Sequence, residues 1–272
     1  MVNVERLAPR IIGYVMDRRR ESGGFAAAPT LPSSIEDTYF ALRILETLQP
    51  FSERELVSLS KDSSIREYLM KIEDRHSWSI RIAFRHLMAC RIVGIVLDDA
   101  WIRRFILERA KESHDLRNDY YRHRIPREGL SEAAPPKERT VIASYLAKFR
   151  TVEELRMVLY LAERNPHAQL DRKALVSWLH ACQNPDGGFG YMPGTTSFME
   201  NNHYSLRSLR LLGDRALSQE AVLAFVLRAQ GKGGGFARRN GAAPFLDATW
   251  HAVATIALVI SRRKVNGSLD WR

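Results

Sequence analysis

The amino-acid sequence predicts an all-α protein built from about six stacked helix pairs. Apolar residues recur at helical spacing along most of the chain, and no run of alternating β-branched residues indicates a strand. One unit also recurs: a helix, a Gly-rich loop that ends in Phe, and a second helix that begins at an acidic residue. Helix pairs of this kind cannot bury their apolar faces alone, so neighbouring pairs must stack, and six pairs can close into a ring.

The Gly-rich loop is the clearest part of the repeat. Residues 183–189 and 230–236 share the frame Gln-x-x-x-Gly-x-Phe, and residues 19–25 keep Gly-Gly-Phe with Arg19 in the place of Gln. An acid follows each Phe after 11 residues, at Glu36, Glu200 and Asp247. Phe25 and Phe189 are 164 residues apart, which is four units of 41. The chain between the clear copies therefore has room for three degenerate units.

The remaining elements follow from apolar periodicity, caps and helix breakers. In the first half, helices are predicted at residues 7–20, 36–48, 65–72, 77–97, 99–111 and 115–127. Residues 128–137 contain Gly129, Pro135 and Pro136 and are predicted to be a linker. In the second half, helices are predicted at residues 137–149, 152–163, 171–181, 200–212, 219–229 and 247–261. Thr151 with Glu154 forms a capping-box pattern, and Asp171, Ser218 and Gly213 are predicted to cap their helices.

Composition restricts the class of protein. A chain of 272 residues suits one large domain, here residues 1–272. A net charge of +10 permits an anionic partner, but Lys and Arg are spread along the chain and no nucleic-acid-binding motif is present. Two cysteines give no disulfide framework, and the longest apolar stretch, residues 248–260, is too short to span a bilayer. The first residues lack the apolar core of a signal peptide, so we expect a cytoplasmic protein.

The repeat resembles a known family. The frame Gln-x-x-x-Gly-x-Phe, an acid and an aromatic-rich helix are similar to the repeat of protein prenyltransferase β subunits and of squalene–hopene and other terpene cyclases. Residues 183–212 match best, followed by 230–259 and 19–48, together under half of the chain. The resemblance implies an α/α toroid whose inner helices line an apolar cavity for an isoprenoid chain. It also implies a helical-repeat partner similar to a prenyltransferase α subunit.

The resemblance further implies a zinc site at the start of the last inner helices. In prenyltransferases the ligands are an Asp, a Cys two residues later, and a His in the following repeat. Glu200 stands in the place of the Asp, Asn202 in the place of the Cys, and Trp250 or His251 in the place of the His. The Cys that the family's zinc–thiolate chemistry relies on is therefore absent.

Four residues still form a candidate metal site. Glu200 and His203 are three residues apart, and Asp247 and His251 are four apart, so each pair lies on one helical face. If the two helices are neighbours, their carboxylate and imidazole groups suit Zn²⁺ or another first-row metal. The alternative is that the two acids cap their helices and the histidines line a wet cavity wall.

A second candidate site is acidic. The stretch Ser34-Ile35-Glu36-Asp37-Thr38 resembles the Asp-x-Asp-Asp-Thr motif of the cyclases, with Glu36 in the place of the proton donor. Adjacent carboxylates in an apolar cavity raise the pKa of one of them, as an acid catalyst requires. Helix capping by Glu36 or Asp37 is the alternative.

The binding residues are predicted from the inner-helix aromatics. Tyr39, Tyr204 and Trp250 would contact an isoprenoid, and Arg238 with Arg239 is the basic pair nearest to the expected diphosphate. Each aromatic residue alone is also explained as core. Three hypotheses follow: a protein resembling a prenyltransferase β subunit that binds a prenyl diphosphate and acts on it, a compact cyclase that uses Glu36 and Asp37 as acid, and a non-catalytic toroid that binds a protein or lipid.

Overall fold

The structure is a computed structural model that describes residues 4–49, 61–71, 78–109, 115–130, 142–163, 165 and 167–260. These residues form twelve α-helices, with isolated β-bridges but no β-strand among them. The all-α prediction is confirmed. The odd-numbered helices are α1 (Val4–Met16), α3 (Ser63–Met70), α5 (Asp99–Arg109), α7 (Ile142–Lys148), α9 (Arg172–Ala181) and α11 (Gln219–Arg228). The even-numbered helices are α2 (Ile35–Leu48), α4 (Ile80–Ile92), α6 (Leu116–Gly129), α8 (Val152–Ala162), α10 (Met199–Leu212) and α12 (Leu246–Ile260).

The even-numbered helices form a closed inner ring. Each of them packs against the next, from α2 through α4, α6, α8 and α10 to α12, and α12 packs against α2. Each odd-numbered helix packs on the outside of the inner helix that follows it. Six helix pairs therefore close into an α/α toroid, as the spacing of the repeats predicts.

Several predicted boundaries differ from the observed ones. The helix predicted at residues 77–97 spans only Ile80–Ile92, because Gly94 adopts a positive φ of 69° in the turn that follows. Helix α6 continues through Pro126 to Gly129, so the predicted linker at 128–137 begins too early. The rest of that linker, at 131–137, lies outside the described residues.

The predicted caps form. The Thr151 hydroxyl accepts a hydrogen bond from the Glu154 N–H at 3.2 Å, and the Glu154 carboxylate accepts one from the Thr151 N–H at 3.0 Å. Asp171 and Ser218 accept hydrogen bonds from N–H groups three residues later, at 3.0 Å and 3.1 Å. Gly213 ends α10 in a left-handed conformation.

Three connections between outer and inner helices carry the repeat signature. We call residues 19–34, 183–198 and 230–245 the rim loops. The Phe side chain of each rim loop is fully buried. Its backbone N–H donates a hydrogen bond to a side-chain oxygen 13 residues later in the inner helix, which fixes the loop on that helix. The three acceptors are Thr38 (3.0 Å), Asn202 (2.6 Å) and Thr249 (2.9 Å).

In two rim loops, the residue that opens the loop ties it to the start of another outer helix. The Gln183 amide donates to the Ser218 carbonyl at 3.2 Å and accepts from the Leu217 N–H at 2.8 Å. Arg19 donates instead to Asp62, the N-cap of α3, at 2.9 Å. Arg19 therefore makes the connection that Gln183 makes in the later repeat, which explains why Arg stands in the place of Gln.

A glycine in the last rim loop allows that loop to pack closely against the first outer helix. Gly234 has a φ of +96°, and a Cβ there would collide with the carbonyl oxygen of Arg10 in α1. Gly187 makes the same approach, with a φ of +89°, to Ala221 in α11. The last loop is thus fitted to the first outer helix as the preceding loop is fitted to the last, and this match continues the stacking around the closed ring.

Candidate functional site

Side chains from all six inner helices meet in the middle of the ring. Contacts join the second turns of neighbouring helices: His203 of α10 with His251 of α12, His251 with Phe40 of α2, and Arg156 of α8 with Tyr204 of α10. Equivalent turns therefore lie at one level, and the inner helices run parallel. We call these residues and their neighbours one turn further the central layer: Tyr39, Phe40, Arg43, Arg85, Tyr120, Tyr121, Arg124, Arg156, His203, Tyr204, Arg207, Trp250 and His251.

Two predicted metal ligands lie side by side in this layer. The Nδ1 atoms of His203 and His251 are 2.9 Å apart, so one imidazole donates a hydrogen bond to the other. Burial, and then the charge of the neighbouring imidazole, holds the pKa of His203 well below its usual value. Burial and then Arg156 lower the pKa of His251 to about 3. The pair is therefore neutral near pH 7.

The two predicted carboxylate ligands do not join the histidines. Glu200 forms an ion pair with Arg238. Asp247 accepts a hydrogen bond from the Ala248 N–H at 2.7 Å, at the start of its own helix. Among the described residues, no group of three or more His, Cys, Asp or Glu side chains is placed to hold a metal ion. The residues as arranged do not fit a zinc centre, and zinc binding by these four residues stays a prediction.

The position of the missing zinc-ligating Cys has an architectural role here. The Asn202 side chain is fully buried, and its Oδ1 accepts the Phe189 N–H of the rim loop. The Asn202 side chain therefore fixes the rim loop 183–198 on helix α10. Helix α10 has no side-chain cap, because its N-cap is Phe198 and Glu200 contacts Arg238, so helix capping does not explain Glu200.

The predicted acid catalysts have partners of their own. Glu36 forms an ion pair with Arg85. Asp37 accepts a hydrogen bond from the Ser34 hydroxyl at 2.6 Å, and Ser34 is the N-cap of α2. Burial raises the pKa of Asp37, with Glu36 and Asp247 adding to the rise against the Ser34 hydrogen bond. A proton-donor role for either acid stays a prediction.

Five arginines of the central layer are not among the residues that the sequence analysis proposed. Four of them cover aromatic faces. Arg43 lies 4.8 Å from the ring centre of Trp250, Arg85 lies 4.9 Å from that of Phe40, and Arg124 lies 4.3 Å from that of Phe84. Arg156 lies 4.9 Å from the ring centre of Tyr204. The sequence does contain a signal for one of them, since Arg43 interrupts the apolar run Ala41-Leu42-Arg43-Ile44-Leu45. An arginine inside a core-facing run is a candidate for a buried site.

Positive charge exceeds negative charge in this layer. Arg43 pairs with Glu46 at 2.8 Å, and Arg124 pairs with Glu128 at 3.3 Å. In the part of the chain that the structure describes, no carboxylate pairs with Arg156 or Arg207. Burial lowers the pKa of Arg207 to about 10, and nearby arginines contribute to the shift. A ligand with negative charge would relieve this excess.

Tyr120 stands between the arginines. Its phenol oxygen accepts hydrogen bonds from Arg156 at 2.6 Å and from Arg124 at 2.9 Å. The side chain is almost completely buried. Burial alone would raise the pKa of Tyr120, but Arg124, Arg156 and Arg207 together bring it down to about 7. The three arginines therefore favour the ionised form of this phenol.

The predicted diphosphate contacts lie nearer to the surface. Arg238 is bound to Glu200 and lies over the ring of Phe198, 4.7 Å from its centre. Arg239 is exposed. Trp250 packs against His203 and Tyr39 packs against Phe40 in the central layer, which also contains Tyr204. Contact of these aromatic residues with an isoprenoid stays a prediction.

An apolar groove lies away from these groups. It runs between α1, α2 and α12, near the start of α1 and the ends of α2 and α12. Its lining consists of Val4, Leu7, Ile11, Thr47, Leu48, Val253, Ile256, Ala257 and Ile260. None of these lining side chains is titratable.

Comparison with known proteins agrees with this architecture. No helix in the described segments has the length and apolar character that crossing a membrane requires. A search of curated proteins found no match. A family model, the prenyltransferase alpha-alpha toroid domain, matches residues 3–93 and 108–271. The match covers most of the sequence and leaves out residues 94–107 in the middle of the chain. The chain belongs to the prenyltransferase α/α-toroid domain family.

Proposed function

We propose that this protein binds a prenyl diphosphate in the ring and acts on it as a prenyltransferase-like enzyme. The observation that carries the proposal is the excess of buried guanidinium groups in the central layer, beside Tyr204, Trp250 and the histidine pair. Guanidinium groups suit the oxygens of a diphosphate, and aromatic rings suit an isoprenoid chain. Membership in the toroid family supports the same ligand class.

The arginines have a direct part in the proposed reaction. When a prenyl diphosphate ionises, negative charge grows on the departing diphosphate oxygens. Arg156 and Arg207 lie in a buried setting, where a fixed positive charge stabilises such charge more strongly than in water. The neutral His203–His251 pair can orient an acceptor group by hydrogen bonding, and the proton that the acceptor loses goes to solvent, because these imidazoles are too weakly basic to hold it near pH 7.

The same arginines argue against the cyclase hypothesis. A cyclase stabilises carbocations on aromatic faces, but Arg43 and Arg156 cover the faces of Trp250 and Tyr204. A carbocation in this layer would also be repelled by the guanidinium groups. The raised pKa of Asp37 is the observation that favours the cyclase. If the protein cyclises an alkene substrate and Glu36→Gln or Asp37→Asn abolishes that cyclisation, the cyclase hypothesis replaces the transferase.

Zinc is the cofactor that the resemblance predicts, and we derive no step through it because Glu200 and Asp247 are bound elsewhere. Metal content is measurable directly by mass spectrometry of the purified protein. One equivalent of zinc that is lost in His251→Ala would establish a zinc site in spite of the missing Cys. Equal zinc content in the wild type and the variant would rule out this zinc site.

Ligand binding tests the proposal. Calorimetry would compare a prenyl diphosphate with the matching prenyl alcohol, using Arg156→Gln and, as a control, Arg210→Gln on the exposed side of α10. We expect Arg156→Gln to weaken binding of the diphosphate about tenfold or more and to leave the alcohol unaffected. We expect Arg210→Gln to change neither. Tighter binding of the alcohol than of the diphosphate would refute the proposal.

A non-catalytic role is the remaining alternative. The toroid would then bind a lipid or a partner such as the helical-repeat subunit that the resemblance implies. An assay for product formation from a prenyl diphosphate and a thiol or amine acceptor distinguishes the proposed enzyme from a non-catalytic protein. Tight binding of the diphosphate with no turnover, with or without a co-purifying helical partner, would favour the binding role.

A further inference from the structure

Tyr120 has an unusual set of hydrogen bonds for a buried phenol. Its oxygen accepts from two cationic donors, Arg156 at 2.6 Å and Arg124 at 2.9 Å. A neutral phenol also needs an acceptor for its own proton when it is buried. Within the described residues, Tyr120 has no such acceptor. The arrangement satisfies a phenolate, which accepts hydrogen bonds and donates none.

The charged groups around Tyr120 favour the same state. On its own helix, Arg124 donates to it, and the rings of Tyr121 and Tyr120 are in contact. Helix α8 contributes Arg156 and the ring of Tyr160. Helix α10 contributes Arg207, whose charge lowers the pKa of Tyr120. Further out, the charge of Arg43 in α2 acts to lower the pKa of Arg207, and the charge of Arg85 in α4 acts to lower the pKa of Tyr121. The acid near this group is Glu128, which pairs with Arg124 and with Arg91 at 2.5 Å.

We propose that the phenolate of Tyr120 is the resident anion of the central layer, and that the phosphate group of a ligand takes over its arginines as Tyr120 is protonated. The proposal deepens the proposed function, because it concerns the same arginines. In this exchange the ligand anion binds, and the Tyr120 phenolate takes one proton from solvent. Arg156 then donates its hydrogen bond to a phosphate oxygen of the ligand and no longer to the Tyr120 oxygen. Anion binding is thereby linked to the uptake of one proton.

Two properties of the site follow from this exchange. The unliganded layer is less cationic than its arginines suggest, since the phenolate neutralises one guanidinium charge. Affinity for a phosphate-class ligand falls as pH rises above about 7, where the phenolate competes for the arginines. A site made of arginines alone would show no such dependence, because arginine keeps its proton.

Ultraviolet absorbance of tyrosinate tests the first half of the proposal. The chain has 9 tyrosines. In the folded wild type we expect one of them to ionise between about pH 6 and about pH 8, far below the ordinary tyrosine pKa of about 10. Tyr120→Phe should lose this transition, and Arg156→Gln should move it upward by about one pH unit or more. Arg210→Gln is the control and should leave it in place. A folded wild type in which no tyrosine ionises below about pH 9 would overturn the proposal.

Inorganic diphosphate tests the second half. Added to the wild type at about pH 8, it should remove the tyrosinate absorbance of one residue and take up about one proton, measured by calorimetry in buffers of different ionisation enthalpy. Tyr120→Phe should bind it with no proton uptake. Binding of inorganic diphosphate to the wild type without proton uptake, or no binding at all, would contradict the inference. If inorganic diphosphate behaves as expected but a prenyl diphosphate does not bind, the proposed function fails and this inference stands.

Discussion

The rim loops and the central layer use polar groups in opposite ways. In the rim loops the polar groups of the repeat signature meet partners from the chain itself: the Phe189 N–H donates to Asn202, and Gln183 contacts the start of α11. In the central layer, Arg156 and Arg207 are buried with no carboxylate among the described residues. A fold does not need buried cations that lack counterions, because burying them is costly. The rim loops therefore serve the architecture, and we propose that the central layer serves a ligand.

The largest effect that would test this comparison lies in a rim loop. Gly187→Ala should lower the free energy of unfolding by about 3 kcal/mol, because a Cβ there meets the Ala221 carbonyl and φ is +89°. Gly194→Ala is the matched control, since its φ of +79° is similar but no atom lies within 4 Å of the new Cβ. We expect about 1 kcal/mol for the control. Urea unfolding measures both, and equal losses would show that the loop is not closely fitted to α11.

The next effect concerns the buried histidine pair. The folded-state pKa of His251 is about 3 and that of His203 is well below 6.5, so the unfolded chain binds more protons below pH 6.5. Stability should therefore fall as pH drops from about 6.5 towards 3, by about 1.4 kcal/mol per pH unit for each imidazole. Unfolding measured across this range checks the slope. His203→Gln should reduce it, whereas the exposed His167→Gln should not.

The smallest effect should come from the ion pair near the rim. Arg238→Gln removes the partner of Glu200, but the Arg238 side chain is 53% exposed. We expect a loss of under about 1 kcal/mol in the free energy of unfolding. Affinity for a prenyl diphosphate should change less than in Arg156→Gln, and Arg239→Gln serves as the exposed control. A larger loss of affinity in Arg238→Gln than in Arg156→Gln would move the diphosphate site from the central layer to the rim.

The sequence predicts the ring better than it predicts the site, for a physical reason. Helix periodicity, caps such as Thr151 with Glu154, and the spacing of the Gly-Gly-Phe loops are local signals, and they predict the helices and their number. His203 and His251 lie three and four residues after the equivalent acids Glu200 and Asp247 of consecutive repeats, so their approach is also readable from spacing.

The arginine cluster depends on contacts between distant units. Arg43, Tyr120, Arg156 and Arg207 come from four helices in different repeats, and each alone resembles an ordinary helix residue. Their meeting point depends on which face of each degenerate helix points into the ring. The pairing of Glu200 with Arg238, 38 residues away, is of the same kind. Such contacts become visible only when the ring is closed.

The central claim is that the buried arginines serve a ligand and not the fold. The most direct measurement compares Arg207→Met with Arg210→Met for both unfolding free energy and affinity for inorganic diphosphate. Because Arg207 is a buried cation without a carboxylate partner in the described structure, we expect Arg207→Met to raise stability by about 1 kcal/mol and to weaken diphosphate binding about tenfold or more. Arg210→Met should change neither. A destabilised Arg207→Met protein that binds diphosphate as well as the wild type would contradict the account.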